Sequence, residues 1–323
     1  MSSKLGEIVS KYSYIMFGGK GGLGKTTFSA ATAYWLACQG KKVLVFSVDP
    51  QASLSDIFQK DIFGKGAVKI VDNLWAQEVD ADSHIKAYQD EIRHKILDMY
   101  GFDKVPDEIE QYIQAASAEP AMEESAIFDA VVDIVVEGSY DYYIYDLVPL
   151  GHALYYLSMA KVYDEWINKI TKLREEMREY EEMVSRLKRA RVTEEDQILT
   201  ELQYIRGRIN ASSRILTDKE KTAFFFVLVP EEMILIDTQK AAGLFAQYNV
   251  PISGYVVNRV VPKELMQHDI PAYLRNRIQM QDRYLGEIDQ LFGKQVVARV
   301  PELERDVTGL PMIEHLAQIM YQS

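Results

Sequence analysis

A doubly wound α/β fold with a mostly parallel sheet is predicted by three observations. Apolar runs each end in a polar or turn residue, helical patterns separate them, and a glycine-rich loop joins the first run to a helix. The runs are Tyr14–Phe17, Val43–Val48, Tyr142–Tyr145, Ala223–Val229, Ile252–Val257 and Gln295–Val300, with a shorter strand expected at Leu74–Val79. The longer ones are continuously apolar rather than alternating, as strands covered on both faces are.

The first run leads into Phe17-Gly18-Gly19-Lys20-Gly21-Gly22-Leu23-Gly24-Lys25-Thr26-Thr27, and a good helix follows from Phe28 to Cys38. Strand, loop and helix in that order make the setting of a phosphate-binding loop. Glycines let the backbone curl around an anion, and the exposed N–H groups with the helix N-terminus supply partial positive charge. Gly19-x-x-x-x-Gly24-Lys25-Thr26 fits the general pattern. In it Lys25 lies against the β- and γ-phosphates of ATP and the Thr26 hydroxyl ligates Mg²⁺. A second lysine, Lys20, follows the first glycine of the pattern. The loop already wraps the γ-phosphate of its own site, so Lys20 is placed to reach the phosphate of a facing subunit, as an arginine finger supplied in trans does.

Further along, Gly40 suits the end of the helix. The Val43–Val48 run ends in Asp49-Pro50, at the edge where α/β sheets bind ligands. A carboxylate there can orient the water that attacks a γ-phosphate. Tyr142–Tyr145 ends in Asp146, the arrangement in which a carboxylate holds Mg²⁺ directly or through water, and runs into the loop Leu147–His152. Asp82–Glu137 reads as mostly helical, broken at Gly101 and Pro106. His84 and His94 lie too far apart for a metal pair on one helical face and read as solvated helix residues. Between Lys161 and Glu220, Ile170, Leu173, Met177, Tyr180, Val184 and Leu187 form one heptad stripe, and Ile198, Leu202, Ile205, Ile209, Ser212 and Leu216 a second. An antiparallel helical hairpin inserted between strands follows, with Thr193–Asp196 as an N-terminal box and the basic run Arg186–Arg191 near its tip. The whole chain, 1–323, reads as one P-loop ATPase domain with helical insertions at about 82–137 and 161–220.

Composition sets bounds. The 323 residues are 48% apolar and 26% charged, with a net charge of −12. That balance argues against a partner bound through a nucleic-acid backbone. Cys38 is the single cysteine, read as a small core residue, and it excludes intrachain disulfides and an iron–sulfur reductase. A reducing, cytoplasmic setting fits. Met1–Lys11 lacks a signal-peptide core, and no apolar run approaches the roughly 18 residues of a membrane span. The tail Met312–Ser323 has no Lys or Arg and makes a poor membrane anchor.

Lys20-Gly21-Gly22-Leu23-Gly24-Lys25-Thr26-Thr27 resembles the signature-lysine loop of dimeric P-loop ATPases. These include the partitioning and septum-positioning proteins, nitrogenase iron protein, and the ArsA and tail-anchored-protein targeting ATPases. The later motifs resemble the last branch. Ser47-Val48-Asp49-Pro50 with Leu54-Ser55-Asp56 is similar to its first switch and Asp146–Leu154 to its second. Val229-Pro230-Glu231 and Val257-Asn258-Arg259-Val260 are similar to its nucleotide-contact segments, and Arg299 through Gly309 to its adenine loop. The resemblance implies Lys20 as the cross-subunit lysine, Asp49 as the water-activating carboxylate and Asp146 as the sensor of Mg²⁺ and γ-phosphate. Gly19, Gly21, Gly22, Gly24, Lys25, Thr26 and Thr27 would cradle phosphates, Asn258 would read adenine, and Glu231 and Pro301 would complete the nucleoside site. It further implies a homodimer or paralogous heterodimer, with a membrane arsenite or anion pump or a hydrophobic membrane-protein segment as client.

Departures narrow this. Lys263–Tyr284 has no cysteine where targeting members carry a zinc-binding Cys-x-x-Cys, so no zinc site is expected. The thiolates of arsenite-binding members are missing, and His152 remains for a loop-positioning role or, as the alternative, as a lone ligand. Leu147, Val148 and Leu150 replace the hydroxyl or alanine residues usual in the second switch. An arsenite or anion pump-driving ATPase is the first expectation, a tail-anchored-protein targeting factor the second, and a partitioning ATPase a distant third.

Overall fold

The computed structural model describes residues 3–48, 51–100, 104–107, 109–111, 130–135, 138–147, 168–173, 203, 207, 215 and 218–322. In chain order its elements are α1 (Lys4–Val9), β1 (Tyr14–Gly18), α2 (Lys25–Cys38), β2 (Val43–Ser47), α3 (Ser53–Phe58), β3 (Val68–Val71), β4 (Leu74–Glu78), α4 (Ala81–Tyr100) and β5 (Tyr142–Asp146). There follow β6 (Thr222–Leu228), α5 (Glu232–Gln247), β7 (Ile252–Val260), α6 (Ala272–Leu291), β8 (Val296–Pro301) and α7 (Gly309–Tyr321). The strands form one eight-stranded sheet ordered β3-β4-β2-β5-β1-β6-β7-β8, parallel throughout except between β3 and β4. The expected doubly wound, mostly parallel sheet is what forms.

Helices cover both faces because β6 is apolar on both. Phe225 stacks on Phe17, which meets Phe28 of α2. Phe224 and Phe226 point the other way and pack against Phe245 of α5. Every residue of β2 and β6 is buried, and each such large side chain contributes about 1.5–3 kcal/mol on leaving water. The C-terminal α7 packs on α2, where Trp35 and Tyr321 stack at 4.2 Å and the Tyr321 hydroxyl meets that of Thr32 at 2.6 Å. Burial pushes the Tyr321 phenol well above its ordinary pKa.

Some expectations need correction. Cys38 is exposed, not a core residue. It is the last residue of α2, and only the earlier turns, from Phe28 to Ala37, are buried. β7 continues through Val260, so Asn258 and Arg259 lie inside the strand rather than after it, with Arg259 at a left-handed φ of +56°. Two elements had no sequence signal strong enough to place them. The α1 helix is N-capped by the Ser3 hydroxyl, which accepts the Gly6 N–H at 3.2 Å, and it buries Leu5 and Val9. The β3 strand joins β4 through the two-residue turn Asp72-Asn73, with Asn73 left-handed at +63°.

The two helical stretches expected from sequence fall between β4 and β5 and between β5 and β6, where only part of each is described. Helix is found at Ala81–Tyr100 and within 107–111, 130–135 and 168–173. Most of the expected hairpin, its basic run Arg186–Arg191, and the second-switch residues from Val148 through Leu154, His152 among them, lie outside the described residues.

Candidate nucleotide site

Parallel pairing places the strand ends side by side. Register makes Glu78, Ser47, Asp146 and Phe17 consecutive Cα partners across β4, β2, β5 and β1. β1 is flanked by strands reached in opposite directions, so the loop after it opens at the point where α/β sheets bind ligands. That loop is Gly19–Gly24.

Its glycines answer to different demands. Gly19 has φ +155°, and a Cβ there would sit 2.5 Å from the Val227 carbonyl oxygen of β6. Gly24, at φ +98°, starts α2 and would place a Cβ 2.8 Å from the Asn258 amide nitrogen. At these two positions the fold itself demands glycine. Gly21 and Gly22 are exposed, and an added Cβ would meet nothing within 4 Å at either. Protein packing does not account for Gly21; an anion seated against its backbone N–H would.

The loop is held from outside. Asn258 donates its amide to the Leu23 carbonyl at 2.9 Å, and Arg259 donates from Nη2 to the Gly22 carbonyl at 3.0 Å. Arg259 was named from sequence only within a nucleotide-contact segment; its role as a brace was not anticipated, because it depends on β7 reaching back over the loop. Lys25 donates to the Lys20 carbonyl at 3.3 Å, folding its ammonium over the loop it would share with phosphate. Lys20 is exposed at the rim and pairs with Asp237 of α5 at 3.0 Å. Thr26 and Thr27 are half-buried in the first turn of α2.

Asp146 is 3% exposed and accepts a hydrogen bond from the buried Ser29 hydroxyl at 3.3 Å. Ser29 lies one turn beyond Lys25, so this bond ties the end of β5 to the phosphate-binding helix. Sequence reasoning missed it; the helical spacing Lys25–Ser29 was the available signal. Asp49 lies outside the described residues, between Val48 and Gln51. Glu231 precedes α5, exposed and 3.7 Å from Arg277. Pro301 pairs in register with Val260, two residues beyond Asn258, and lines an open cavity of about 290 Å³ with Pro262, Lys263, Asp282 and Arg299. The described residues therefore join the phosphate loop, Asn258 and Asp146. Glu231 and Pro301 stand on neighbouring strand ends.

The donor set fits a nucleotide phosphate: open backbone N–H groups at a helix start, two lysines and a hydroxyl, with a buried carboxylate behind them. Over residues 12–322 the sequence matches the model of the anion-transporting ATPase family. The chain belongs to that family. It is an ATPase. It is 34% identical to the Aquifex aeolicus protein named arsenical pump-driving ATPase 1, over 95% of this chain and 78% of that protein. It is 27% identical to ATPase ASNA1 homolog 2 of Paramecium tetraurelia, covering 95% and 93% of the two chains. With the ATPase get3 of Pyrenophora tritici-repentis it shares 29% identity, covering 95% and 90%. Both named branches of the anion-transporting ATPase family are thus represented among its relatives. Among the described residues no helix is long and apolar enough to cross a membrane, and no group of three or more His, Cys, Asp or Glu is placed to hold a metal ion.

Proposed function

We propose that this ATPase works as a dimeric switch that couples ATP binding and hydrolysis to a membrane-linked process, as the driving subunit of an arsenite or other anion pump. The observation that carries this is Lys20, exposed at the rim of a formed phosphate loop where a second subunit can receive it. In this reading Gly19, Gly21, Gly22, Gly24, Lys25 and Thr27 bind the phosphates, and Thr26 and Asp146 hold Mg²⁺ directly or through water. Asp49 orients the attacking water, and Lys20 of one protomer neutralises charge on the neighbour's γ-phosphate. Asn258, Glu231 and Pro301 take the nucleoside. The amide of Asn258, which offers both donor and acceptor, suits adenine. Residues 1–323 act as one ATPase domain, whose helical insertions at about 82–137 and 161–220 convert closure into grip on a cytoplasmic or membrane-embedded partner.

A second reading is a targeting factor for tail-anchored membrane proteins. Lone, exposed Cys38 favours it, because it gives no cluster of thiolates for direct metalloid binding.

Asp49→Asn keeps ATP binding and loses turnover by about 10²- to 10⁴-fold, the range for a lost general base. Loaded with ATP, that variant is expected to retain its client through purification, and mass spectrometry of the retained material reads out which client it is. Arsenite stimulation of the wild-type ATPase supports the pump reading. A flat response together with a retained hydrophobic segment replaces it with the second.

A further inference from the structure

Glu78 ends β4 with 1% of its surface exposed. A carboxylate so placed needs donors to offset its lost hydration. Oε1 accepts the Leu54 N–H at 2.6 Å, and Oε2 accepts the Ser55 N–H at 3.2 Å and the Ser55 hydroxyl. That hydroxyl in turn accepts the Ile62 N–H at 3.1 Å. All three donors to Glu78 belong to the first turn of α3. The residue at its N-cap, Ala52, is left-handed at φ +51° and has no side-chain oxygen to offer.

The main chain of the same residue is fixed to the other flank. Glu78 is the register partner of Ser47, and Val79 donates its N–H to the Ser47 carbonyl at 2.9 Å. One residue thus ties Ser47, which precedes Asp49-Pro50, to Leu54 and Ser55, which follow them. A local side-chain cap would need an extended backbone at position 52, where the chain is left-handed. A carboxylate reaching over from β4 does what a local cap cannot: it sets the spacing between the sheet and α3.

We propose that Glu78 is a positioning residue for ATP hydrolysis, acting by holding Ser47 and Leu54–Ser55, which bracket Asp49 in sequence. This rests on the role given to Asp49 above. Glu78→Gln keeps the shape of the side chain but turns an NH₂ group toward the donors of α3. A misplaced catalytic group is worth about 10²-fold, so kcat falls by about that factor while KM for ATP and the affinity for a fluorescent ADP analogue stay at wild-type values. Ser55→Ala removes one donor without leaving an unpaired buried charge, and it shows a smaller loss of the same kind. It carries the test alone if Glu78→Gln does not fold. Hydrogen exchange at Leu54 and Ser55 rises in Glu78→Gln while exchange along β2 does not.

The deciding measurement places each substitution on the Asp49→Asn background. A positioning role adds no further loss there, because the group being positioned is already gone. Losses that multiply with that of Asp49→Asn, or a Glu78→Gln enzyme with wild-type kcat, overturn the inference and leave the Asp49 reading standing. Full turnover in Asp49→Asn itself overturns both.

Discussion

The two flanks of β1 are built from different material. Toward β5, β2 and β4 the sheet's carboxyl edge buries Asp146 and Glu78 beside Ser47, and their recorded bonds run between elements: β5 to α2 through Ser29, and β4 to α3. Toward β6, β7 and β8 the interior is aromatic, with Phe224, Phe226, Phe245, Tyr255 and Phe292 in mutual contact. The buried polar groups described on that side are uncharged. Thr238 donates to the Ile234 carbonyl of its own helix at 2.7 Å, and Gln281 bonds both main-chain groups of Val261. The difference teaches that, among the described residues, the buried carboxylates are confined to the side of β1 that carries Asp146. Burying charge costs stability unless it is well paired, and among the described residues only the β5–β4 side carries it.

Substitutions can break that contrast, and the largest effect belongs to Lys20. Replacing it with Ala should cost about 10³-fold or more in turnover, by analogy with a finger supplied in trans. The melting temperature should hardly move, because its pair with Asp237 is an exposed ion pair, worth roughly 0–1 kcal/mol. Steady-state rates beside a thermal melt check this, and a large stability loss with normal turnover would reverse the assignment.

On the opposite flank Phe226→Ala should cost about 3–5 kcal/mol in chemical denaturation, since the ring is 1% exposed and touches three others. Its folded fraction should hydrolyse ATP normally. Smallest of all, Thr238→Val should stay within about 1 kcal/mol of wild type, because the acceptor it releases belongs to a helix already bonded along its length. A Thr238→Val protein as damaged in turnover as Glu78→Gln would show that the two flanks are not mechanically distinct.

How far the sequence reached varied with the reach of the contacts. The phosphate loop was readable because Gly19 through Thr27 act in one contiguous stretch, and the strands because their apolar runs were long. Asn258 could be named through a motif, but Arg259 could not be read as a brace, since no periodicity says that β7 returns over Gly22. Cys38 misled because a small residue at the end of an apolar helix looks buried until the helix is seen to surface there. The β3 strand is only four residues long, and Val71 breaks its alternation just before a tight turn. Glu78 fell inside the expected strand Leu74–Val79, and nothing local marks it as buried or bonded to α3.

Chain chemistry alone therefore determined a phosphate-binding loop, its two lysines, the doubly wound class and the family to which the protein belongs. Each of these depends on neighbours a few residues apart or on runs long enough to declare their burial. Strand order was decided only in three dimensions, and with it the row Glu78–Ser47–Asp146, the brace from Arg259 and the pairing of Lys20 with Asp237. Hydrogen bonds between elements more than 200 residues apart in sequence, such as Asn258 to Leu23, follow from which strands lie side by side, and that is settled by packing the whole apolar interior at once.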